Sequence, residues 1–209
     1  MDAYLRDPDA IYARSFELIR AEVDLGRFPL ALQPLVVRLV HACGMPEIAG
    51  ELAWSGDPAT AARTALHESA AVLADARMVA AGIMAHRLPT GASLVATITD
   101  ERVPALAAEL GTTRSAAAVE LWRPRLAGAV IAIGNAPTAL FHLIERLGEW
   151  PERPAAIFAF PVGFVGAAES KEALLAAGLG VPFLTLRGRR GGSALAAAAV
   201  NALLVPARS

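Results

Sequence analysis

The sequence predicts an α/β protein in which a mainly parallel five-stranded sheet lies between two helical layers. From about residue 70 onward, five short apolar runs alternate with segments of helical periodicity. One run, AVIAI at 129–133, is apolar at every position, as parallel strands are when helices cover both faces of the sheet. Glycine-bearing turns follow three of the runs. Strands and helices that alternate in this way form right-handed crossovers, and hence a parallel sheet.

The five predicted strands cover 70–74, 93–99, 129–133, 155–160 and 181–186. A helical segment precedes them. In it, Asp7-Pro8 and Asp57-Pro58 each predict an N-cap followed by a first-turn proline, and the helix that begins at Pro34 is expected to end at Gly44. We therefore expect one domain over 1–209, with a helical segment (about 1–69) before the alternating part (about 70–209).

Composition excludes several classes of protein. The formal net charge of -1 argues against nucleic-acid binding by bulk charge. The N-terminus lacks the basic and apolar regions of a signal peptide, and the longest apolar stretches are too short to span a membrane. We expect a cytoplasmic protein that binds neither nucleic acid nor membrane. Cys43 is the only cysteine, so an internal disulfide and a thiolate zinc site are excluded.

Two features of the composition point beyond the fold. Charged residues make up 19% of the chain and apolar ones 55%, which leaves little charge to cover a monomer, so part of the surface is expected to be a homodimer interface. Lys171 is the only lysine beside eighteen arginines. Two explanations are equally good: codon bias in a GC-rich genome, or a position where arginine cannot replace the compact ammonium group.

The loops at the carboxyl edge of the predicted sheet indicate an anionic ligand. They contain Asp75, which is expected to cap the next helix, and Thr97. Three glycine-bearing loops lead into helix N-termini, where backbone N–H groups attract anions. Arg114 and Lys171 would add positive charge. We expect a ligand with several acidic groups, bound by Gly134, Asn135, Ala136, Pro137, Gly163, Gly191, Gly192 and Ser193.

His41 is the candidate proton donor. It lies in the last turn of the second predicted helix, where the helix dipole favours an imidazolium, although a purely structural histidine is the alternative. His67 and His142 are interpreted as structural. Tyr12, Arg14 and Ser15 form a polar group in the first helix, for which a solvated face is the alternative.

Nucleotide, metal and nucleophile motifs are absent from the sequence. There is no GxGxxG after a strand, no GxxxxGK[ST], no HExxH and no GxSxG. The acidic residues are scattered without the spacing of a metal site, so no metal ligand is predicted. The residues alone thus lead to an α/β protein that binds a polyanion.

Several segments, taken together and in order, resemble the precorrin-8X methylmutase family of cobalamin biosynthesis. The combination of AIGNAPTAL and PVGFVGAAESK is the most specific part of this resemblance, which extends over nearly the whole chain. The remaining matching segments are IYARSF, VHACG, DARMVAAGI, TRSAAAVELW and GRRGGSALAAAAVNAL.

The resemblance implies a flavodoxin-like fold, a homodimer with active sites near the subunit interface, and no cofactor. The family moves a methyl group from carbon eleven to carbon twelve of precorrin-8X, a tetrapyrrole polycarboxylate, and forms hydrogenobyrinate or its cobalt equivalent, cobyrinate. The resemblance also implies that His41 is catalytic, and that it protonates the macrocycle or forms a hydrogen bond to it. The substrate-binding residues would be Tyr12, Arg14, Ser15, Thr97, Arg114, Ser115, Lys171 and the glycine loops.

Two other functions compete with the isomerase. The first is a corrinoid-binding or carrier protein without catalysis. The second is a flavodoxin-like module for a nucleotide or flavin, and this second alternative rests on fold analogy alone. One position departs from the expected pattern: DARMVA stands where DAEMVA is expected, so Arg77 replaces an acid. Substrate specificity would change if this position borders the substrate.

Overall fold

A six-stranded sheet forms the centre of the fold. The computed structural model describes residues 4–205, and their strands pair in the order β1-β6-β5-β4-β2-β3. All neighbours are parallel except β1 and β6. The strands are β1 (Leu52–Ser55), β2 (Ala71–Ala74), β3 (Ser93–Ala96), β4 (Val130–Ile133), β5 (Ala156–Ala159) and β6 (Phe183–Leu186).

The five parallel strands have the flavodoxin order, in which the first strand lies between the second and the third. All five lie within or on the predicted segments. The prediction of five strands in total was wrong, because β1 adds an antiparallel edge strand in which Leu52 pairs with Leu186. Its four residues are too few to show a strand period, and a 3-10 turn over Pro46–Glu51 leads directly into it.

The helices cover both faces of the sheet. Along β4, Val130 and Ala132 pack in one hydrophobic cluster with α2, α3, α4 and α9, whereas Ile131 and Ile133 pack in the other with α6, α7 and α8. Side chains of successive strand residues point to opposite faces, so a fully apolar strand is buried twice. The helices are α1 (Pro8–Glu22), α2 (Gln33–Cys43), α3 (Pro58–His67), α4 (Arg77–Gly82), α5 (Val103–Glu109), α6 (Arg114–Glu120), α7 (Pro137–Glu149), α8 (Ala167–Ala176) and α9 (Ser193–Leu204).

The helix termini predicted at Asp7, Asp57 and Gly44 are confirmed. The carboxylates of Asp7 and Asp57 accept hydrogen bonds from the amides of Ala10 and Thr60, at 2.9 and 3.0 Å. Gly44 ends α2 in the left-handed conformation, with φ +68°. Left-handed backbone is least costly for glycine, so this residue type fixes the end of the helix that carries His41.

The middle of the chain contains short helices. The segment 112–126 does not form one continuous helix, because α6 ends at Glu120 and a separate 3-10 turn covers Arg123–Arg125. Pro124 lacks the N–H that an α-helix would need there. The short helix α5 was not predicted. The single-domain prediction extends beyond the described residues at both ends, and within 4–205 no helix is long and apolar enough to cross a membrane.

Candidate active site

His41 is held by α1 and by its own helix. Its Nδ1 atom lies 2.8 Å from the hydroxyl oxygen of Ser15. The imidazole also contacts two aromatic rings of α1, with centroid distances of 5.3 Å to Tyr12 and 5.2 Å to Phe16, the latter edge to face. Residues 12, 15 and 16 share one helix face. This face fixes the imidazole, so three predicted site residues, Tyr12, Ser15 and His41, lie together.

The electrostatic surroundings of His41 oppose a positive charge. Burial lowers the pKa of the imidazole below its ordinary value of 6.5, and the positive charge of Arg38 lowers it further. The expectation that the helix C-terminus would favour an imidazolium was wrong, because these two effects prevail in the ligand-free chain. His41 is therefore neutral at neutral pH. Its ring then has one N–H donor and one acceptor nitrogen.

An open groove is lined in part by His41. Its volume is about 360 Å³, and its walls come from α1, α2, α4 and α9. The groove reaches Ala194, which follows the predicted site residue Ser193. It thus connects the imidazole with the glycine loop before α9. Its lining residues are Tyr12, Arg38, His41, Ala42, Gly82, Met84, Ala194, Ala197, Ala198 and Asn201.

Small residues let α4 and α9 approach closely under this groove. A Cβ atom at Gly82 would lie only 2.8 Å from the Cβ of Ala197. The side chain of Asn201 joins the two helices further, since it accepts from the amide of Met84 at 2.8 Å and donates to the carbonyl of Gly82 at 2.9 Å. The floor of the groove is therefore fixed and carries no bulky side chain.

Asp75 fills the position where flavodoxin-like folds bind ligands. This position is the point where the strand order reverses, between the ends of β2 and β4. The carboxylate is 2% exposed and accepts hydrogen bonds from the amides of Gly134, Asn135 and Ala136 at 2.9, 3.0 and 2.8 Å. Burial raises the pKa of Asp75, while these amides act in the opposite direction.

Two predictions about this turn are therefore corrected. Asp75 does not cap α4, whose N-cap Ala76 makes no side-chain bond. The amides of the turn after β4 are not free for a ligand, because Asp75 already takes three of them. Gly134 is buried, and a Cβ there would lie 2.8 Å from Ser193 Cα, so this residue packs under α9. Pro137 packs instead beside Gly166, whose Cβ position lies 3.2 Å away.

The other two glycine loops, 161–166 and 187–193, are joined to each other. The amide of Gly163 donates to the carbonyl of Arg189 at 3.2 Å, and that of Gly192 donates to the carbonyl of Phe160 at 2.8 Å. Lys171, which was predicted to add positive charge to these loops and to bind the substrate, is fully buried beneath them. Within residues 4–205, no side chain caps the N-terminus of α9, so the amides of Ser193 and Ala194 remain available to an anion.

The α6 residues form a separate group. The hydroxyls of Thr113 and Thr138 are 2.8 Å apart and join the starts of α6 and α7. Arg114 is exposed and Ser115 half-buried beside them. Within residues 4–205, no side-chain hydrogen bond or ion pair connects these two residues to His41. Thr97 is buried, and its hydroxyl donates to the carbonyl of Ala118 at 2.8 Å, so it supports α6 from below.

The remaining predicted residues lie further out. Arg14 is exposed and pairs with Glu17 at 2.9 Å, away from the groove. Arg77 is exposed at the first position of α4. His67 is exposed in the last turn of α3. His142 is buried, and its Nε2 lies 2.6 Å from Glu120 between α6 and α7, which agrees with the structural interpretation.

Three residues of the site were missed by the sequence analysis: Arg38, Asp75 as a ligand of the turn, and Asn201. Arg38 precedes His41 by three positions, so helical spacing alone places it one turn away and was a usable signal. No local sequence pattern predicts the long-range hydrogen bonds of Asp75 and Asn201. In the part of the chain that is described, no three His, Cys, Asp or Glu side chains are grouped to hold a metal ion.

The fold and the site define a class of protein: a flavodoxin-like α/β protein with a neutral histidine in an open groove and an anion-attracting edge beside it. Comparisons give the family. A sequence model of the family precorrin-8X methylmutase matches residues 10–205. The chain belongs to this family.

Relatives cover nearly its full length. A precorrin-8X methylmutase of Sinorhizobium is 56% identical and covers 97% of each chain. A cobalt-precorrin-8 methylmutase of Priestia megaterium is 37% identical over 97% of this chain and 89% of its own. The crystal structure of a precorrin-8X methylmutase from Thermus thermophilus is 35% identical, with a TM-score of 0.84 over 94% of both chains.

Proposed function

We propose that this chain is an isomerase that converts precorrin-8X to hydrogenobyrinate. The observation that carries the proposal is the hydrogen-bonded His41 in an open groove, in a chain 56% identical to a relative with that activity in its name. The bond from the methyl group to carbon eleven breaks and a bond to carbon twelve forms. The rearrangement is internal to the substrate, so it needs neither a redox cofactor nor a methyl donor.

His41 acts as the hydrogen-bond donor to the macrocycle. Because its pKa is lowered, the free protein holds a neutral imidazole. We propose the tautomer in which the Ser15 hydroxyl donates to Nδ1, so that Nε2 carries the proton for a hydrogen bond to the substrate. A donor fixed in advance stabilises the charge that develops on the ring as the methyl group migrates, without reorganisation during the reaction.

The carboxylates of the substrate are received at the edge beside the groove. The uncapped start of α9 offers the backbone amides of Ser193 and Ala194 and the positive end of a helix dipole. Exposed Arg114 contributes charge from the start of α6. Tyr12 contributes an aromatic wall. The turn at 134–137 supports this edge from below, because Asp75 holds its amides.

The degrees of identity favour the metal-free substrate. The relative whose name specifies precorrin-8X is 56% identical, whereas the relative whose name specifies the cobalt form is 37% identical. Assays with both compounds test this point. We expect kcat/KM to be higher for metal-free precorrin-8X, and a preference for the cobalt compound would reverse the assignment.

The visible absorption spectrum tests the reaction itself, because the conjugation of the macrocycle changes as the methyl group moves. We expect purified protein to convert precorrin-8X, with a mass unchanged between substrate and product. A carrier protein would instead bind hydrogenobyrinate and leave excess precorrin-8X unaltered. That result would replace the isomerase by the carrier, the competing function.

We further infer that the protein is a homodimer located in the cytoplasm. Large apolar side chains stand open to solvent, among them Leu30, Phe164 and Val165, with exposures of 83, 83 and 88%. Together with the charge-poor composition, this surface favours burial against a second copy. Light scattering after gel filtration should give twice the chain mass of 21.7 kDa. A mass of one chain would contradict the dimer.

A further inference from the structure

We propose that Lys171 is a positioning residue: its buried ammonium group holds the loops 161–166 and 187–193 in one arrangement and so shapes the edge that receives the substrate. This assignment rests on the proposed function for its catalytic consequence. It differs from the direct substrate contact predicted from the sequence, because the side chain is 0% exposed.

The contacts of the ammonium group support this role. Lys171 Nζ donates to the carbonyl of Pro161 at 3.1 Å and to the carbonyl of Arg190 at 2.7 Å. One carbonyl belongs to each loop. The two oxygens converge on the same nitrogen and would repel one another without a donor between them. Charge-assisted hydrogen bonds are stronger than those between neutral groups, so this group joins the loops firmly.

The two loops also approach each other closely through their backbones. A Cβ atom at Gly191 would lie 2.3 Å from the carbonyl oxygen of Phe160 and 2.5 Å from that of Pro161. The backbones of the two loops are therefore in direct contact beside the carbonyl groups that Lys171 binds. A planar guanidinium is wider than an ammonium and directs its protons along fixed lines. The packing explains why the only lysine among many arginines stands here.

Few charges act on this group. Burial lowers the pKa of Lys171 to about 8, and the nearby carboxylate of Glu172 opposes the shift. Glu172 is half exposed and pairs with Arg187 of the second loop. The side chain of Arg190 points away to Glu47. Loop 161–166 carries no charged residue, and the titratable side chains of the adjoining helix α7 are those of His142, Glu145, Arg146 and Glu149.

Amide hydrogen exchange, followed by mass spectrometry at pH 7, tests the inference without substrate. In Lys171→Met, we expect the amides of Gly163 and Gly192, which bond across the loops, to exchange at least about tenfold faster, because two buried carbonyls lose their donor. Lys171→Arg should behave alike. The control Glu172→Gln removes the other connection between α8 and loop 187–193, an exposed ion pair of small effect, and should leave exchange within twofold. Wild-type exchange in Lys171→Met would overturn the proposal.

The wild-type chain provides a second measurement if Lys171→Met does not fold. Labelling with [15N]lysine gives one side-chain signal, because the chain has one lysine. We expect this signal to titrate near pH 8, and the protection of Gly163 and Gly192, corrected for intrinsic exchange rates, to fall over the same interval. Titration without any loss of protection would contradict the positioning role.

Kinetics with precorrin-8X then separate this role from a general structural one. We expect Lys171→Met to raise KM about tenfold and to change kcat less, because His41 and its groove are left intact. In the wild type, KM should rise as the pH passes above 8, and this rise should be absent in Lys171→Met. If the wild type itself does not turn over precorrin-8X, the proposed function fails, whereas the exchange data still decide the role of Lys171.

Discussion

The hydroxyl oxygen of Ser15 lies 2.8 Å from Nδ1 of His41, across the contact between α1 and α2. This bond engages Nδ1, one of the two nitrogens of the imidazole, with a side chain of the protein. It also makes α1 part of the site, although this helix lies outside the sheet and its two cover layers.

Replacement of His41 by alanine should lower the rate of precorrin-8X conversion about 100-fold or more, within the range contributed by a positioned acid or base. The side chain is only half-buried, so the fold should persist. The assay is the visible spectrum, with circular dichroism to confirm the fold. His67→Ala, which removes an exposed histidine of α3, is the matched control and should retain the full rate. Near wild-type turnover in His41→Ala would refute the donor role.

Replacement of Ser15 by alanine should reduce kcat about three- to tenfold, which corresponds to the net value of one hydrogen bond. The imidazole would keep its place between the rings of Tyr12 and Phe16 but lose its fixed tautomer. Ser15→Thr keeps the hydroxyl and should restore most of the rate. Equal rates for the alanine and threonine variants would show that the hydroxyl has no part in the reaction.

Arg38→Gln should raise the pKa of His41, because it removes the positive charge that helps to lower it. Burial, the larger cause, remains, so the pKa should stay below that of an exposed histidine. Nuclear magnetic resonance of the imidazole measures both values, with Arg27→Gln as a surface control. An unchanged or lower pKa would contradict the assigned cause.

The same shift sets the pH dependence of the reaction. A neutral donor requires the deprotonated ring, so kcat/KM should be level near pH 7 and fall as the pH drops through the lowered pKa of His41. In Arg38→Gln, the fall should begin at a higher pH. A rate that rises toward pH 5.5 would show instead that the imidazolium is the active form.

Asp75→Asn should reduce the free energy of unfolding by about 2 to 4 kcal/mol, since an amide group cannot accept from all three backbone N–H groups and brings donors of its own. Chemical denaturation measures the change. Asp57→Asn is the control, because asparagine also serves as an N-cap and should cost little. If both variants were equally stable, Asp75 would not be holding the turn.

Much of this architecture follows from local sequence. The parallel strands follow from continuous apolar runs such as that of β4, and the helix termini at Asp7, Asp57 and Gly44 follow from residue types with one main conformational use. The edge strand β1 was missed because its pairing with β6 depends on contacts distant in sequence. Such pairing leaves no period in four residues.

The site was less accessible to prediction. Composition and loop position indicated the anion-attracting edge, and the family resemblance selected His41. The other properties of the site depend on the burial of individual side chains. Burial opposes the expected charge preference of His41, and it excludes the direct substrate contact expected of Lys171. Asp75 is a ligand of the turn after β4 and not a helix cap. The placement of Lys171 and of Asp75 depends on partners between 10 and about 60 positions away, which no short motif encodes.

The buried carboxylate of Asp75 has a consequence for how this fold can evolve. In flavodoxin-like folds this crevice usually binds the phosphate of a cofactor. Here the side chain of Asp75 occupies it instead. The crevice is therefore closed to ligands, and new binding sites can arise only on the helices around it. Changes of specificity in descendants of this protein should accordingly accumulate in α1, α2 and the start of α9, while the centre of the sheet edge stays fixed.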